Sequence, residues 1–439
     1  MTGIILILIA VFEIAFTIYC LRTKTIHTKI KSYVRLICFT IFLLLCILDV
    51  MAWGMRWYLL GALLLVLSIK GAYALISKRG ISKKFRPGRQ IAKAVTMILL
   101  FAVTLIPAFL FPQYQVPKPT GNYQVATAEF TYTSDTINDY FSGGKRQVNV
   151  GFWYPKDAAG GYPLLIFSHG AFGIKNSNIS AFEDLASHGY VVCSIDHPGH
   201  SFYTESADGK RVIVDKAYIN EVMNSNKDTY YTKAECYELL KKWMKIRIED
   251  INLTIDTILQ YATEGNSTNT LYQSIDPSKI GVFGHSMGAA ASVKIGRERK
   301  DVGAVINIDG PYFSEITYDS SRDEYVAIGE KYSTPILNIY SDQVWVQLQD
   351  GTDTGTYAAN KRSKQICKES YDVYLKGTKH LTLTDLALAS PFLSYLLNGE
   401  ADEVDAKKSI ELENKLILEF FNATLKGEGE FTSEGIYEQ

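Results

Sequence analysis

Gly284-His285-Ser286-Met287-Gly288 sets one serine between two glycines, directly after the run Lys279-Ile280-Gly281-Val282-Phe283 and directly before Ala289-Ala290-Ala291-Ser292. A G-x-S-x-G pentapeptide arises often by chance. A strand ahead of it and a helix behind it make it a nucleophile elbow, in which the serine takes a strained conformation that bulky neighbours would block. A serine hydroxyl is a poor nucleophile near neutral pH and needs a base. Of the seven histidines only His380 follows Ser286, in the loop Lys376-Gly377-Thr378-Lys379-His380 after the last strand-like run. With the chain order nucleophile, acid, histidine, the acid is Asp309, which ends Ala304-Val305-Ile306-Asn307-Ile308, or Asp342, which follows Ile336-Leu337-Asn338-Ile339-Tyr340-Ser341.

Acyl transfer also needs donors for a tetrahedral oxyanion, usually the N–H after the nucleophile and one from an earlier strand-end loop. Met287 supplies the first. Ser168-His169-Gly170-Ala171-Phe172-Gly173 follows the strand-like Leu164 to Phe167, and its glycines let the backbone turn toward the serine. The N–H of Ala171, with Phe172 as the alternative, is the second donor, and His169 shapes the loop. Asp196-His197-Pro198-Gly199-His200 has two histidines and one acid in a turn-forming segment; it reads as structural rather than as a metal site. This chemistry requires no cofactor and no metal.

The elements that must hold these residues alternate. Strand-like runs at Val125 to Tyr132, Val148 to Tyr154, Leu164 to Ser168, Val191 to Ile195, Ile280 to Phe283, Ala304 to Ile308, Ile336 to Tyr340 and Val373 to Leu375 are interleaved with helical periodicity at Ile179 to Ser187, Ala234 to Ala262, Ala289 to Arg297 and Lys407 to Leu425. An early hairpin followed by this alternation predicts an α/β fold, a mostly parallel sheet with helices on both faces. The polar, Tyr-rich stretch Ser201 to Tyr231 is expected to be an insertion near the top of the sheet.

The first quarter of the chain is different in kind. Residues 1–112 hold 14 Lys and Arg against only Glu13 and Asp49, whereas the remainder is acidic, and the whole chain of 439 residues has a net charge of -1. Between the cations lie four apolar runs, Gly3 to Leu21, Leu36 to Trp53, Tyr58 to Ser77 and Ala94 to Phe111, near the roughly 20 residues that cross a bilayer core. Spans two and three should form a tight hairpin with Trp53, Trp57 and Tyr58 as an interfacial belt. Glu13, Asp49 and Lys70 are expected to pair or snorkel. Arg22, Lys24, Lys29, Lys31 and Arg35 follow span one, and Lys78, Arg79, Lys83, Lys84, Arg86, Arg89 and Lys93 follow span three. The positive-inside rule then predicts a multi-pass protein with both basic loops cytoplasmic and the large domain extracytoplasmic. Residues 113–123, with two prolines and a glycine, form a stiff connector of about 34 Å at most, at about 3.1 Å per residue. The expected organisation is a membrane region over 1–112, a connector over 113–123 and a catalytic domain over 124–439. No exposed basic stripe suggests nucleic acid. The spacing of Cys236 and Cys367 does not by itself support a disulfide.

With these residues assembled, the second domain resembles the α/β-hydrolase superfamily, and within it the platelet-activating-factor acetylhydrolase family of lipid esterases. The resemblance rests on Ser168-His169-Gly170 with Phe172-Gly173, Asp196-His197-Pro198-Gly199, the elbow, Asn307-Ile308-Asp309-Gly310-Pro311, and Gly377-Thr378-Lys379-His380 followed by Asp385. It implies an α/β-hydrolase fold, an ester hydrolase with a lipid or small-molecule ester as substrate, and Asp309 rather than Asp342 as the acid. The four-span region departs from that pattern. The expectation is a membrane-anchored serine ester hydrolase; the second reading is a membrane sensor or scaffold with a ligand-binding, non-catalytic hydrolase-like domain.

Overall fold

The computed structural model describes residues 2–77, 85–156, 160–227, 230–263 and 269–438. Lys78, Arg79, Lys83 and Lys84 of the second basic loop lie outside them. The chain divides into two compact units, one of Met1–Gln115 with Leu388–Leu393, the other of Val116–Ala387 with Ser394–Gln439.

The first unit holds four helices, α1 (Thr2–Thr23), α2 (Thr28–Ile47), α3 (Met55–Ile76) and α4 (Pro87–Leu110), each long and apolar enough to cross a membrane. Helix α2 starts eight residues earlier than the apolar run, so that Lys29, Lys31 and Arg35 stand in its first two turns. It ends at Ile47, and residues 48–54 turn back. Trp53 packs on Phe42 with ring centroids 6.0 Å apart. Gly61 on α3 makes room for it, since a Cβ there would sit 3.1 Å from the indole. Small residues at such crossings let membrane helices approach. The expected belt is only partly present: Trp53 and Tyr58 are exposed, but Trp57 is buried in the bundle core, one turn before Leu60 and Gly61 on the same face. Glu13 is paired with Lys31 at 2.6 Å.

The second unit is built on a nine-stranded sheet. Its strands are β1 (Val125–Asn138), β2 (Lys145–Pro155), β3 (Tyr162–Ser168), β4 (Val191–Asp196), β7 (Ile275–His285), β8 (Val302–Ile308), β11 (Ile336–Tyr340), β12 (Ser370–Leu375) and β13 (Gly435–Tyr437); Tyr203–Glu205 with Arg211–Ile213, and Ile316–Asp319 with Glu324–Ala327, are the separate hairpins β5/β6 and β9/β10. The order is β1-β2-β4-β3-β7-β8-β11-β12-β13. The first two pairings are antiparallel and all others parallel. Alternation along the strands feeds two cores. Ile166 and Val282 face Trp243, Met244, Ile251 and Ile255 of α7 (Lys233–Thr263). Phe167 and Phe283 face Phe182 of α5 (Ile179–Ser187) and Phe420 and Phe421 of the C-terminal helix Ala406–Phe421. Each of these buried rings contributes about 2–3 kcal/mol from burial.

Register decides where the chemistry can be. Ser168 pairs with Gly284, His285 with Ile308, and Ile308 with Ile339, so these strands end level and their following loops open on one edge, the carboxyl edge at which α/β sheets carry their sites. The insertion is regular rather than irregular: it contains the β5/β6 hairpin and α6 (Lys216–Ser225). Asp215 caps α6 by accepting from the Tyr218 N–H at 3.0 Å. The six cysteines are free thiols, so Cys236 and Cys367 are not joined.

Candidate active site

Ser286 sits between β7 and the helix Met287–Glu298 with φ 55° and ψ -121°. Such a backbone costs a non-glycine residue about 1–2 kcal/mol, and its surroundings enforce it. A Cβ on Gly288 would lie 1.9 Å from the Ser168 carbonyl oxygen, one on Gly284 2.5 Å from the Gly288 backbone, and one on Gly310 2.4 Å from the Ser286 carbonyl oxygen. The Ser286 N–H donates to the Ile308 carbonyl at 2.8 Å, which extends the ladder one residue beyond the strand. Six described non-glycine residues have positive φ, and three of them are Phe172, Ser286 and Asp309. Backbone strain thus collects at this edge.

Asp309 is fully buried. Its Oδ1 accepts the Ser341 N–H at 2.6 Å, and its Oδ2 accepts the Ser341 hydroxyl at 2.7 Å and faces His380 Nδ1 at 2.7 Å. Asp342 is committed elsewhere. It accepts from the Tyr374 hydroxyl and the Gly377 N–H, both at 2.8 Å, and from Lys379 Nζ at 3.2 Å, which fastens the loop that carries His380. Of the two aspartates open in the sequence, the one brought to the histidine is therefore Asp309. His285, inside the pentapeptide, is a contact not anticipated: its Nε2 donates to the His380 carbonyl at 2.9 Å and the two rings lie 4.5 Å apart. Burial, then the neighbouring His380, pushes the His285 pKa well down, so it is a neutral donor.

The loop after β3 passes over the serine. A Cβ on Gly170 would be 3.2 Å from the Ser286 Cβ, which brings the loop that carries Ala171 and Phe172 up to Ser286. This loop is held from beneath by Arg247 of α7, fully buried, whose guanidinium donates to the carbonyls of His169 and, at 3.1 Å, Gly170. His169 spans the turn, with Nδ1 2.7 Å from the Gly170 carbonyl and Nε2 2.8 Å from the Ser201 hydroxyl. His197 has both nitrogens occupied, Nδ1 at 2.9 Å from Asp250 and Nε2 at 2.8 Å from the Ser168 hydroxyl. Arg146 clamps Asp250 with two bonds of 2.8 and 2.6 Å. Burial works against the Arg146 charge, but Asp250 and Asp139 more than offset it. Burial, then the Arg247 charge, keeps His169, His197 and His200 well below the usual histidine range and neutral. Tyr218 of α6 closes the side, stacked on His200 at 3.8 Å and donating to Met287 Sδ at 3.2 Å.

Sequence reading missed Arg247, Asp250 and Arg146. A signal existed for two of them: Leu240, Trp243, Met244, Arg247, Ile251, Thr254, Ile255 and Ile258 are buried at helical spacing on α7, so Arg247 stands on an apolar stripe with Asp250 beside it. A charge at such a position must be paired.

Residues 119–435 match the profile of the family described as platelet-activating factor acetylhydrolase, isoform II. The chain belongs to this family. Proteins named platelet-activating factor acetylhydrolase are 25% identical over 283 residues in Bos taurus, covering 60% of this chain and 57% of that protein, and 22% identical over 374 residues in Canis lupus familiaris, covering 73% and 80%. The match thus spans under two thirds of the bovine relative, and 58% of the one from Cavia porcellus. Among solved structures, a ferulic acid esterase from Streptomyces cinnamoneus superposes with a TM-score of 0.54 at 20% identity, covering 71% of this chain and 93% of that one. That likeness establishes the α/β fold. The profile match ends close to the last strand of the sheet and begins after α1 to α4, so the family relationship concerns the second unit, where Ser286, Asp309 and His380 all lie.

Proposed function

We propose that the protein is a membrane-anchored serine carboxylic-ester hydrolase that acts through an acyl-enzyme on short-chain or lipid-borne esters. The observation that carries this reading is the His380 Nδ1 to Asp309 Oδ2 contact of 2.7 Å beside a serine held at positive φ. Asp309 holds the imidazole with Nδ1 protonated, which leaves Nε2 free to accept. His380 takes the proton of Ser286 Oγ as Oγ bonds to the ester carbonyl carbon. The oxyanion so formed accepts from the N–H groups of Met287 and Ala171. His380 then returns its proton to the alcohol oxygen as the C–O bond breaks, and water repeats the cycle on the acyl-serine.

The acyl acceptor chemistry needs no cofactor. Family membership supports a glycerolipid ester with a short or modified acyl chain, and the four apolar helices support residence where such lipids are. We assign residues 1–112 to the membrane, 113–123 to a connector and 124–439 to catalysis, and the excess of cations around the α1–α2 and α3–α4 loops supports an extracytoplasmic catalytic domain. Fluorophosphonate labelling and hydrolysis of p-nitrophenyl acetate test the mechanism together. Ser286→Ala is expected to abolish labelling and to reduce kcat by about 10⁵ or more, to a residue left by the oxyanion donors. An unchanged rate in a folded Ser286→Ala protein would sink the proposal.

A further inference from the structure

His285, the residue before the serine in the elbow, reaches the base. It is the last residue of β7. Side chains alternate along a strand, so His285 lies on the same face as Phe283, at the edge of the core that Phe283 helps to fill. There it is almost wholly buried, and both sides of its ring meet parts of the site. The Nδ1 edge lies against Gly170, where a Cβ would come within 2.9 Å of it. On the other side Nε2–H donates to the His380 carbonyl at 2.9 Å, and the two imidazoles pack at 4.5 Å with 40° between their planes.

These contacts bear on how His380 is held. The bond of 2.7 Å to Asp309 fixes the Nδ1 corner of the imidazole and leaves the ring free to pivot about it, so the backbone of His380 must set the rest. Its N–H makes a long bond of 3.2 Å to Gln343 Oε1, and its carbonyl is held by His285. The backbone of His285 is itself fixed, since His285 pairs with Ile308 and the next N–H, that of Ser286, donates to the Ile308 carbonyl. Only one peptide separates His285 from Ser286, so the imidazole of His285 ties the base to the backbone that carries the nucleophile. A ring that only filled space here could be apolar, because a buried imidazole costs free energy until its N–H is bonded. Burial, then His380 itself, keeps His285 neutral, so it adds no charge against the imidazolium that His380 becomes.

We propose that His285 is a positioning residue for His380, holding the base within reach of Ser286 through the bond from its Nε2–H to the His380 carbonyl. This inference rests on the ester-hydrolase reading above. Without the bond the backbone of His380 is free to relax, and a displacement of about 1 Å at a reacting atom costs about 100-fold in rate.

Variants of the full-length protein in detergent test the bond, read by hydrolysis of p-nitrophenyl acetate and by the rate of fluorophosphonate labelling. Methionine has the bulk of glutamine but no donor, whereas the glutamine amide nitrogen can take the place of the imidazole Nε2. His285→Met is expected to lower kcat and the labelling rate about 10- to 100-fold with KM within about threefold, and His285→Gln to recover at least about fivefold of that loss. A ring that merely packed would give glutamine no advantage. His285→Gln no faster than a folded His285→Met would therefore overturn the proposal, as would His285→Met within about threefold of wild type. Should His285→Met not fold, His285→Asn replaces it: its amide reaches only to the Nδ1 position, so it is expected to be at least about fivefold slower than His285→Gln, and equal rates would overturn the proposal. Wild-type protein that neither labels nor hydrolyses would refute the ester-hydrolase reading, and this inference with it.

Discussion

Asp309→Asn separates the two aspartates that the sequence left open, and its effect follows from which oxygen does what. Asp309 Oδ1 accepts a backbone N–H, that of Ser341, at 2.6 Å, and a backbone N–H cannot accept in return. The amide oxygen of asparagine must therefore stay at the Oδ1 position, which puts its NH₂ at Oδ2, facing the Ser341 hydroxyl and His380 Nδ1. The hydroxyl can rotate and accept. The imidazole can accept only by giving up the Nδ1 proton, so the proton moves to Nε2 and the histidine ceases to be a base toward Ser286. The same tautomer error in serine proteases costs about 10⁴ in kcat, and we expect a fall of about 10³ to 10⁴ here, or about 4–5.5 kcal/mol of transition-state stabilisation. KM should change little, because no substrate contact is lost. Asp342→Asn keeps its bonds to Tyr374 and Gly377 through the amide oxygen and loses only the Lys379 ion pair, while Glu400 and Glu403 remain 3.5 and 3.6 Å from that ammonium. Its kcat should stay within tenfold and its stability within about 1 kcal/mol. Steady-state hydrolysis of p-nitrophenyl acetate at pH 8 by both full-length variants measures this. A near-wild-type Asp309→Asn beside a severely impaired Asp342→Asn would refute the argument.

Arg247→Met removes the guanidinium that fixes the His169 and Gly170 carbonyls. It should lower kcat about 10- to 100-fold with KM changed less than threefold if, as proposed, the loop it holds supplies an oxyanion donor; an equal change in both constants would argue against that role. Asp385, which accepts from the Ser180 N–H at 2.8 Å and the Ser180 hydroxyl at 2.6 Å, has its pKa pushed up by burial from 3.8 to about 6. The folded state then holds this proton more tightly than the unfolded chain, so its contribution is fully present below about pH 4, is lost as pH rises through 6, and amounts to about 2–3 kcal/mol. Relative to wild type, Asp385→Asn should gain thermal stability between pH 4.5 and 7, and a difference in Tm that is flat or falls over that range would contradict the sign.

The sheet was legible because buried parallel strands are short apolar runs with breaks between them, and β3, β4, β7, β8, β11 and β12 all have that form. What escaped lacks the pattern. The last strand β13 is three residues with only Ile436 strongly apolar, and it exists because β12 offers an open edge. The hairpin β5/β6 pairs Tyr203 with Ile213 and Glu205 with Arg211 across a polar turn, too short for any period to register. Trp57 was misread for a related reason: tryptophan near a span end is usually interfacial, but one helical turn separates it from Leu60 and Gly61, and that face of α3 turns inward.

The site divides in the same way, along the line between what a local motif fixes and what only the third dimension brings together. Ser286 and its glycines are local, because the clash that selects glycine at 284 and 288 comes from the elbow's own backbone and the adjoining strand end at Ser168. His380 followed from chain order and from being the last histidine. The choice between Asp309 and Asp342 did not, since both end neighbouring strands; it turns on the Ser341 N–H and hydroxyl meeting Asp309, and on Tyr374 and Gly377 taking Asp342. The support behind the loop after β3 runs from Arg146 through Asp250 and His197 to Ser168, partners 29 to 104 positions apart in three different elements and a loop. No spacing rule records such a network. Its trace in sequence is indirect: an arginine on the apolar stripe of α7, where an unpaired charge would cost several kcal/mol, implies that something in the core accepts from it, and here that is the backbone of the loop beside Ser286.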